Sequence, residues 1–130
     1  MENKKKTILI IDQGKFQTLK LVLEKYVLEN PDEFFIQHFP SHNETMAFLK
    51  NQNELVPKMI FSHLGEYSAE QSISGLENLQ KEYPAVPIFL VTSAAPEIVE
   101  EAQKKVKIAH RFYSPPHLDD LKEKVKSYLG

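Results

Sequence analysis

The chain has no cysteine among its 130 residues, which excludes a disulfide framework and any thiolate chemistry. It also lacks an excess of charge of one sign. Lysine and arginine total 16 against 18 acidic residues, a formal net charge of −2, and that balance gives no support for a nucleic-acid-binding surface. Long apolar runs are missing too. After the polar, basic amino terminus Met1–Lys6, the stretch Ile8–Ile11 is too short for a signal peptide and far too short to span a bilayer. A cytoplasmic location is therefore expected. No internal repeat, low-complexity segment or linker divides the sequence, so residues 1–130 are read as a single domain. A domain of this size buries about two-thirds of its unfolded surface and needs no staples.

What is present is an alternation of two periods. Ile8–Ile11 is a β-branched-rich apolar run, read as a strand buried on both faces and broken by Asp12-Gln13-Gly14. Phe16, Leu19, Leu23, Tyr26 and Val27 then recur at helical spacing, predicting a first helix to about Glu29, stopped by Asn30-Pro31. Phe34–Phe39 is a second strand. Ser41-His42-Asn43-Glu44 has capping-box spacing and opens a second helix through Lys50. Lys58–Ser62 is a third strand, followed by a polar loop from His63 to Ser74 and a third helix led by Gly75 and ending near Tyr83-Pro84. Pro87–Val91 is the fourth strand, and Pro96 suits the first turn of a fourth helix. A fifth strand lies within Val106–Tyr113, and the last helix puts Leu118, Leu121, Val125, Tyr128 and Leu129 on one face. Five strand–helix units predict an α/β fold: a (βα)5, doubly wound, five-stranded parallel sheet with helices on both faces.

In such folds ligands gather at the carboxyl ends of the strands. The residues expected there are Asp12, His63, Thr92 and Ser114-Pro115. None of His38, His42, His110 and His117 forms a recognised metal-site spacing with His63. His63 is expected to hydrogen-bond Asp12 or a backbone carbonyl, and Thr92 to hydrogen-bond loop backbone. Gln13-Gly14-Lys15-Phe16 is a poor phosphate-cradling loop, which weighs against a flavodoxin-like small-molecule binder. Arg111 is the sole arginine. It reads either as a solvated side chain paired with a glutamate or, together with Tyr113, as an anchor at a protein interface. The loop from Leu64 to Ser74 reads as a recognition loop or a tolerated insertion. Lys104, Lys105 and Lys107 read as a solvated helix end.

Taken together, Ile8-Leu9-Ile10-Ile11-Asp12, Pro57–His63, Gly75-Leu76-Glu77-Asn78-Leu79, Pro87–Ser93 and Ser114-Pro115 resemble the receiver domain of two-component response regulators, over nearly the whole chain. The resemblance implies a flavodoxin-like receiver fold. It implies that His63 stands where the family carries its phosphoacceptor aspartate. It places Asp12-Gln13 at the family's pair of Mg²⁺-holding acids, Ser114 at its lysine and Arg111 at its aromatic switch on the fifth strand. Thr92 and Pro115 match the family. A carboxylate oxygen is the family's nucleophile, and Mg²⁺ needs oxygen ligands, so phosphorylation and Mg²⁺ binding are both expected to be lost. The chain is then expected to be a non-enzymatic pseudo-receiver without a cofactor. Its partners would be signalling proteins such as a histidine kinase or an output domain, or a second copy of itself, with neither nucleic acid nor membrane involved. The family's output surface is formed by the fourth helix, fifth strand and fifth helix. The rival expectation is an atypical switch in which Glu66 or Glu70 replaces a lost carboxylate and His63 accepts the phosphoryl group.

Overall fold

The central strands have no polar face, and that decides the architecture. In the computed structural model, which describes residues 6–11, 17–51, 56–64, 69–92, 94–113 and 117–129, β1 (Lys6–Ile11) is covered at every position after Lys6, and β3 (Met59–Ser62) and β4 (Ile88–Val91) are covered throughout. Strands buried on both faces require helices on both faces. The edge strands β2 (Phe34–Phe39) and β5 (His110–Phe112) are largely half-buried.

All pairings are parallel, in the order β2-β1-β3-β4-β5. The register sets Ile11 opposite Ser62 and Ser62 opposite Leu90. Side chains alternate across the sheet. Leu9, Ile11, Ile60, Ile88 and Leu90 pack on one face beneath α2 (His42–Lys50), α3 (Ala69–Glu82) and α4 (Pro96–Lys105). Ile8, Ile10, Met59, Phe61, Phe89 and Phe112 pack on the other, beneath α1 (Gln17–Val22) and α5 (Leu118–Leu129). On that second face Phe61 and Phe89 stack at 5.1 Å between centroids, and Tyr128 meets Phe89 edge-on at 5.1 Å. Among the described residues no helix is long and apolar enough to cross a membrane.

Local chemistry explains most element ends. Ser41 caps α2, its hydroxyl accepting the Glu44 N–H at 3.1 Å. Pro96 occupies the first turn of α4, where its missing N–H is harmless. After α4, the Gln80 side chain donates to Lys107 O at 3.0 Å and accepts from Lys107 N at 2.9 Å, clamping the approach to β5 onto α3.

Two boundaries differ from the sequence expectation. The first helix ends at Val27, not near Glu29: α1 widens into a π-helical turn over Leu23–Val27, and Leu28 turns to an extended conformation that buries its side chain. The third helix starts at Ala69, so the stretch read as loop up to Ser74 is partly helical and Gly75 lies inside α3 rather than leading it. The buried stripe of α3 begins at Ser72 and Ile73 and continues through Leu76 and Leu79. The polar residues before it form a solvent-facing helical turn, which the run of polar residues disguised.

Candidate functional site

The crossover from β1 goes outward to β2, and the chain then returns to place β3 on the other side of β1. The point where strand order reverses lies between the carboxyl ends of β1 and β3, the usual ligand crevice of open α/β sheets. His63 sits there. Its backbone N–H donates to Ile11 O at 2.9 Å, and its ring Nδ1 lies 3.2 Å from Val91 O. A carbonyl oxygen only accepts, so Nδ1 carries the proton of this bond, and in the neutral ring the lone pair falls on Nε2. His63 thus joins the ends of β1 and β4 across the end of β3.

Beside it runs a second chain of hydrogen bonds that the sequence did not reveal. Ser62 Oγ donates to His63 O at 3.0 Å, which uses its only proton. It therefore accepts from His42 Nε2, 3.1 Å away at the first turn of α2. The His42 ring is wedged against α3. A Cβ added at Gly75 would lie 2.5 Å from His42 Cβ and 2.6 Å from its Cγ. Gly75 is kept small to admit the imidazole, despite a cost of about 0.5–1 kcal/mol for glycine inside a helix. Burial depresses the His42 pKa to about 4, since desolvation disfavours the charged ring.

Thr92, fully buried at the end of β4, is saturated. Its hydroxyl donates to Leu64 O at 2.8 Å and accepts from Ala94 N at 3.0 Å, and its N–H donates to Phe112 O at 3.0 Å. The hydroxyl ties the loop after β3 to the loop after β4.

Arg111 lies on the outer strand of the sheet. Its guanidinium carbon is 3.9 Å from the centroid of the Tyr113 ring. Tyr113 follows the end of β5 directly, two residues after Arg111, and its ring lies over the guanidinium. Arg111 Nη2 donates to Thr92 O over a long 3.4 Å, and its Nε is buried without a partner. Among the described residues Arg111 makes no ion pair with a glutamate, while its neighbour His110 takes Asp120 at 2.9 Å. Tyr113 is 67% exposed.

The structure therefore brings His63, Thr92 and Arg111 to one end of the sheet, with Tyr113 beside Arg111. Asp12, Gln13, Ser114, Pro115 and Glu66 lie outside the described residues. Glu70 is exposed in the first turn of α3. Among the described residues no group of three or more His, Asp or Glu could hold a metal ion. Lys105 of the basic helix end pairs with Glu101 at 3.3 Å. Ser62, His42 and Gly75 were missed because a contact between residues so far apart in the chain leaves no local signature. Only the capping box, which fixes His42 at a helix start, gave a hint.

No protein-family model and no curated protein sequence matches the chain. Solved structures do. The signal receiver domain of an HD-domain-containing protein from Pseudomonas fluorescens Pf-5 superimposes with a TM-score of 0.77 at 15% identity, covering 96% of this chain and 94% of that one. A signal receiver domain of a two-component histidine kinase from Clostridium thermocellum gives 0.75 at 17% identity, with coverage of 95% and 97%. A response regulator from Thermotoga maritima gives 0.73 at 17% identity, with coverage of 96% and 98%. Strand order, two-sided helix packing and these neighbours together establish that the chain has the flavodoxin-like fold of response-regulator receiver domains.

Proposed function

We propose that this chain is a pseudo-receiver: a non-enzymatic cytoplasmic domain that works in two-component-type signal transduction by binding other proteins, independently of phosphorylation. The observation that carries this reading is His63. At the end of β3, where the resemblance to receiver domains puts the phosphoacceptor carboxylate, there is an imidazole whose Nδ1 donates to Val91 O. An imidazole offers no carboxylate oxygen to form an acyl phosphate. Thr92 supports the same reading, because its hydroxyl is committed to Leu64 O and Ala94 N rather than available to a phosphoryl oxygen. The described groups of the rim also suit Mg²⁺ poorly. That ion takes near-octahedral oxygen ligands, usually with one or two carboxylates, whereas here there are an imidazole and two hydroxyls already in use. No cofactor is required. Histidine kinases, output domains or a second copy of the chain are the partner classes, and the surface of α4, β5 and α5, which carries Arg111 and Tyr113, is the proposed contact.

Incubation with acetyl phosphate and Mg²⁺, followed by intact-mass measurement at neutral pH, tests the proposal. An unchanged mass is expected. The gain of one phosphoryl group would overturn it in favour of a switch with a rearranged site. Loss of that gain in a His63→Asn variant would then identify the imidazole as the acceptor.

A further inference from the structure

Arg111 is one of two described residues, with His38, that bury a side-chain nitrogen without a hydrogen-bond partner, and of the two only Arg111 carries a permanent charge. Lys20, Lys105 and Lys126 lie near Glu24, Glu101 and Glu29, and His110 bonds Asp120. Arg111 is more enclosed than those lysines, yet among the described residues it has no carboxylate, one long hydrogen bond, and an Nε shut away from water with nothing to donate to. A guanidinium has five N–H donors in a rigid fork, and a buried polar group left unpaired calls for an explanation. The Tyr113 ring holds its plane at 3.9 Å, so the fork is oriented in advance and loses little freedom on engaging a ligand. Arginine and tyrosine are also residue types that dominate binding energy at interfaces.

We propose that Arg111 and Tyr113 form a docking site for an acidic protein segment, in which a side-chain carboxylate takes the guanidinium fork and an adjacent apolar side chain packs on the exposed Tyr113 ring. This rests on the protein-binding reading above and names the chemistry of the partner. A carboxylate fits because the two Nη groups, unlike the buried Nε, can meet its two oxygens in one plane, and because it supplies the counter-charge that the enclosed arginine lacks. The apolar neighbour fits because the Tyr113 ring is 67% exposed. Among the described residues β5 is an edge strand, with no strand paired on its outer side.

The test is an NMR titration of the ¹⁵N-labelled chain with acetyl-Leu-Glu-amide, its acetyl-Leu-Gln-amide twin and inorganic phosphate. The Glu peptide is expected to shift the Arg111 Nε–Hε signal and the Tyr113 amide saturably, at least about tenfold more tightly than the Gln twin, as a charge-assisted bidentate bond requires. Arg111→Gln should abolish the response. Arg111→Lys, which keeps the charge but loses the fork, should weaken it by about threefold or more, and it carries the test should Arg111→Gln lose the dispersed spectrum of a folded chain. Equal response to both peptides, saturation by phosphate below the concentration needed for the Glu peptide, or shifts confined to other residues would each overturn the proposal. Failure here leaves the chemistry of His63 untouched, and a phosphoryl group gained in the mass experiment leaves this titration untouched, so the two readings fail separately.

Discussion

The exits of β3 and β4 and the outer strand β5 lie at the same end of one sheet, yet they treat their polar groups in opposite ways. At the exits, hydrogen bonds among the described residues close within the chain. His63 closes on Ile11 and Val91, Ser62 on His63 and His42, and Thr92 on Leu64, Ala94 and Phe112. On β5, Arg111 holds one long bond and a buried, unpartnered Nε beneath an exposed aromatic ring. Hydrogen bonds closed within the chain stabilise it and leave little to offer a ligand. Donors left open destabilise slightly and gain only when a partner arrives. On the proposals above, the contrast separates a rim that serves structure from a strand that serves recognition, and each side of it can be broken experimentally.

The largest effect is expected at Thr92. Thr92→Val keeps shape but removes the hydroxyl, leaving Leu64 O and Ala94 N unpaired in a buried setting. At about 1–3 kcal/mol for each buried group left unsatisfied, urea denaturation should show a loss of about 4 kcal/mol. A loss below about 1 kcal/mol would mean that the hydroxyl is not a structural tie, and the inward-closed description of the rim would fail with it.

Next comes acid sensitivity through His42. Its folded pKa is about 4 against an ordinary 6.5, depressed by burial. Between those values the unfolded chain binds the proton and the folded chain does not, so stability falls as pH drops from about 6.5 to about 4. The shift corresponds to about 3 kcal/mol. His42→Asn retains a donor toward Ser62 but cannot titrate. The loss of stability between pH 7 and pH 4 should be smaller in that variant by about this amount, and parallel pH profiles would refute the buried neutral ring.

These two cases also show what the sequence could and could not disclose. The five-stranded sheet with helices on both faces was readable because Ile8–Ile11, Met59–Phe61 and Ile88–Val91 are apolar at every position, a pattern that a sheet covered on both faces requires. The backbone bonds of Thr92 and His63 were foreseeable from their position at strand ends. The nearness of Arg111 and Tyr113 was available in their separation of two residues at the end of β5. The His42–Ser62–Gly75 contact was not, because it depends on how closely α2 approaches α3, which no local pattern encodes. For the same reason Gly75 was mistaken for the start of a helix, when its missing side chain answers to an imidazole on a different one.

Gly75→Ala examines that approach directly and is expected to have a smaller effect. The added methyl would overlap His42 Cβ and Cγ. Overpacking costs about 1–3 kcal/mol, offset by about 1 kcal/mol of improved helix propensity, for a net loss of about 1–2 kcal/mol in chemical denaturation. In a His42→Gly background the clash disappears and the same substitution should become stabilising by up to about 1 kcal/mol. An equal cost in both backgrounds would show that His42 is not what keeps position 75 small.

The smallest change in stability is expected where the largest change in binding is proposed. Arg111→Gln removes the enclosed charge and the unpartnered Nε together with a weak 3.4 Å bond to Thr92 O. What is lost is the stacking on Tyr113, about 0.5–1 kcal/mol at an exposed ring. What is regained is the desolvation of a donor that bonds to nothing, about 1 kcal/mol at the low end of the range because the guanidinium is only partly enclosed. Thermal and urea midpoints should therefore stay within about 0.5 kcal/mol of the parent, in either direction, while the response to the acidic peptide vanishes. A large loss of stability instead would mean that Arg111 is closed into the fold as tightly as Thr92. The outer strand would then belong with the rim, and the difference between the two regions would disappear.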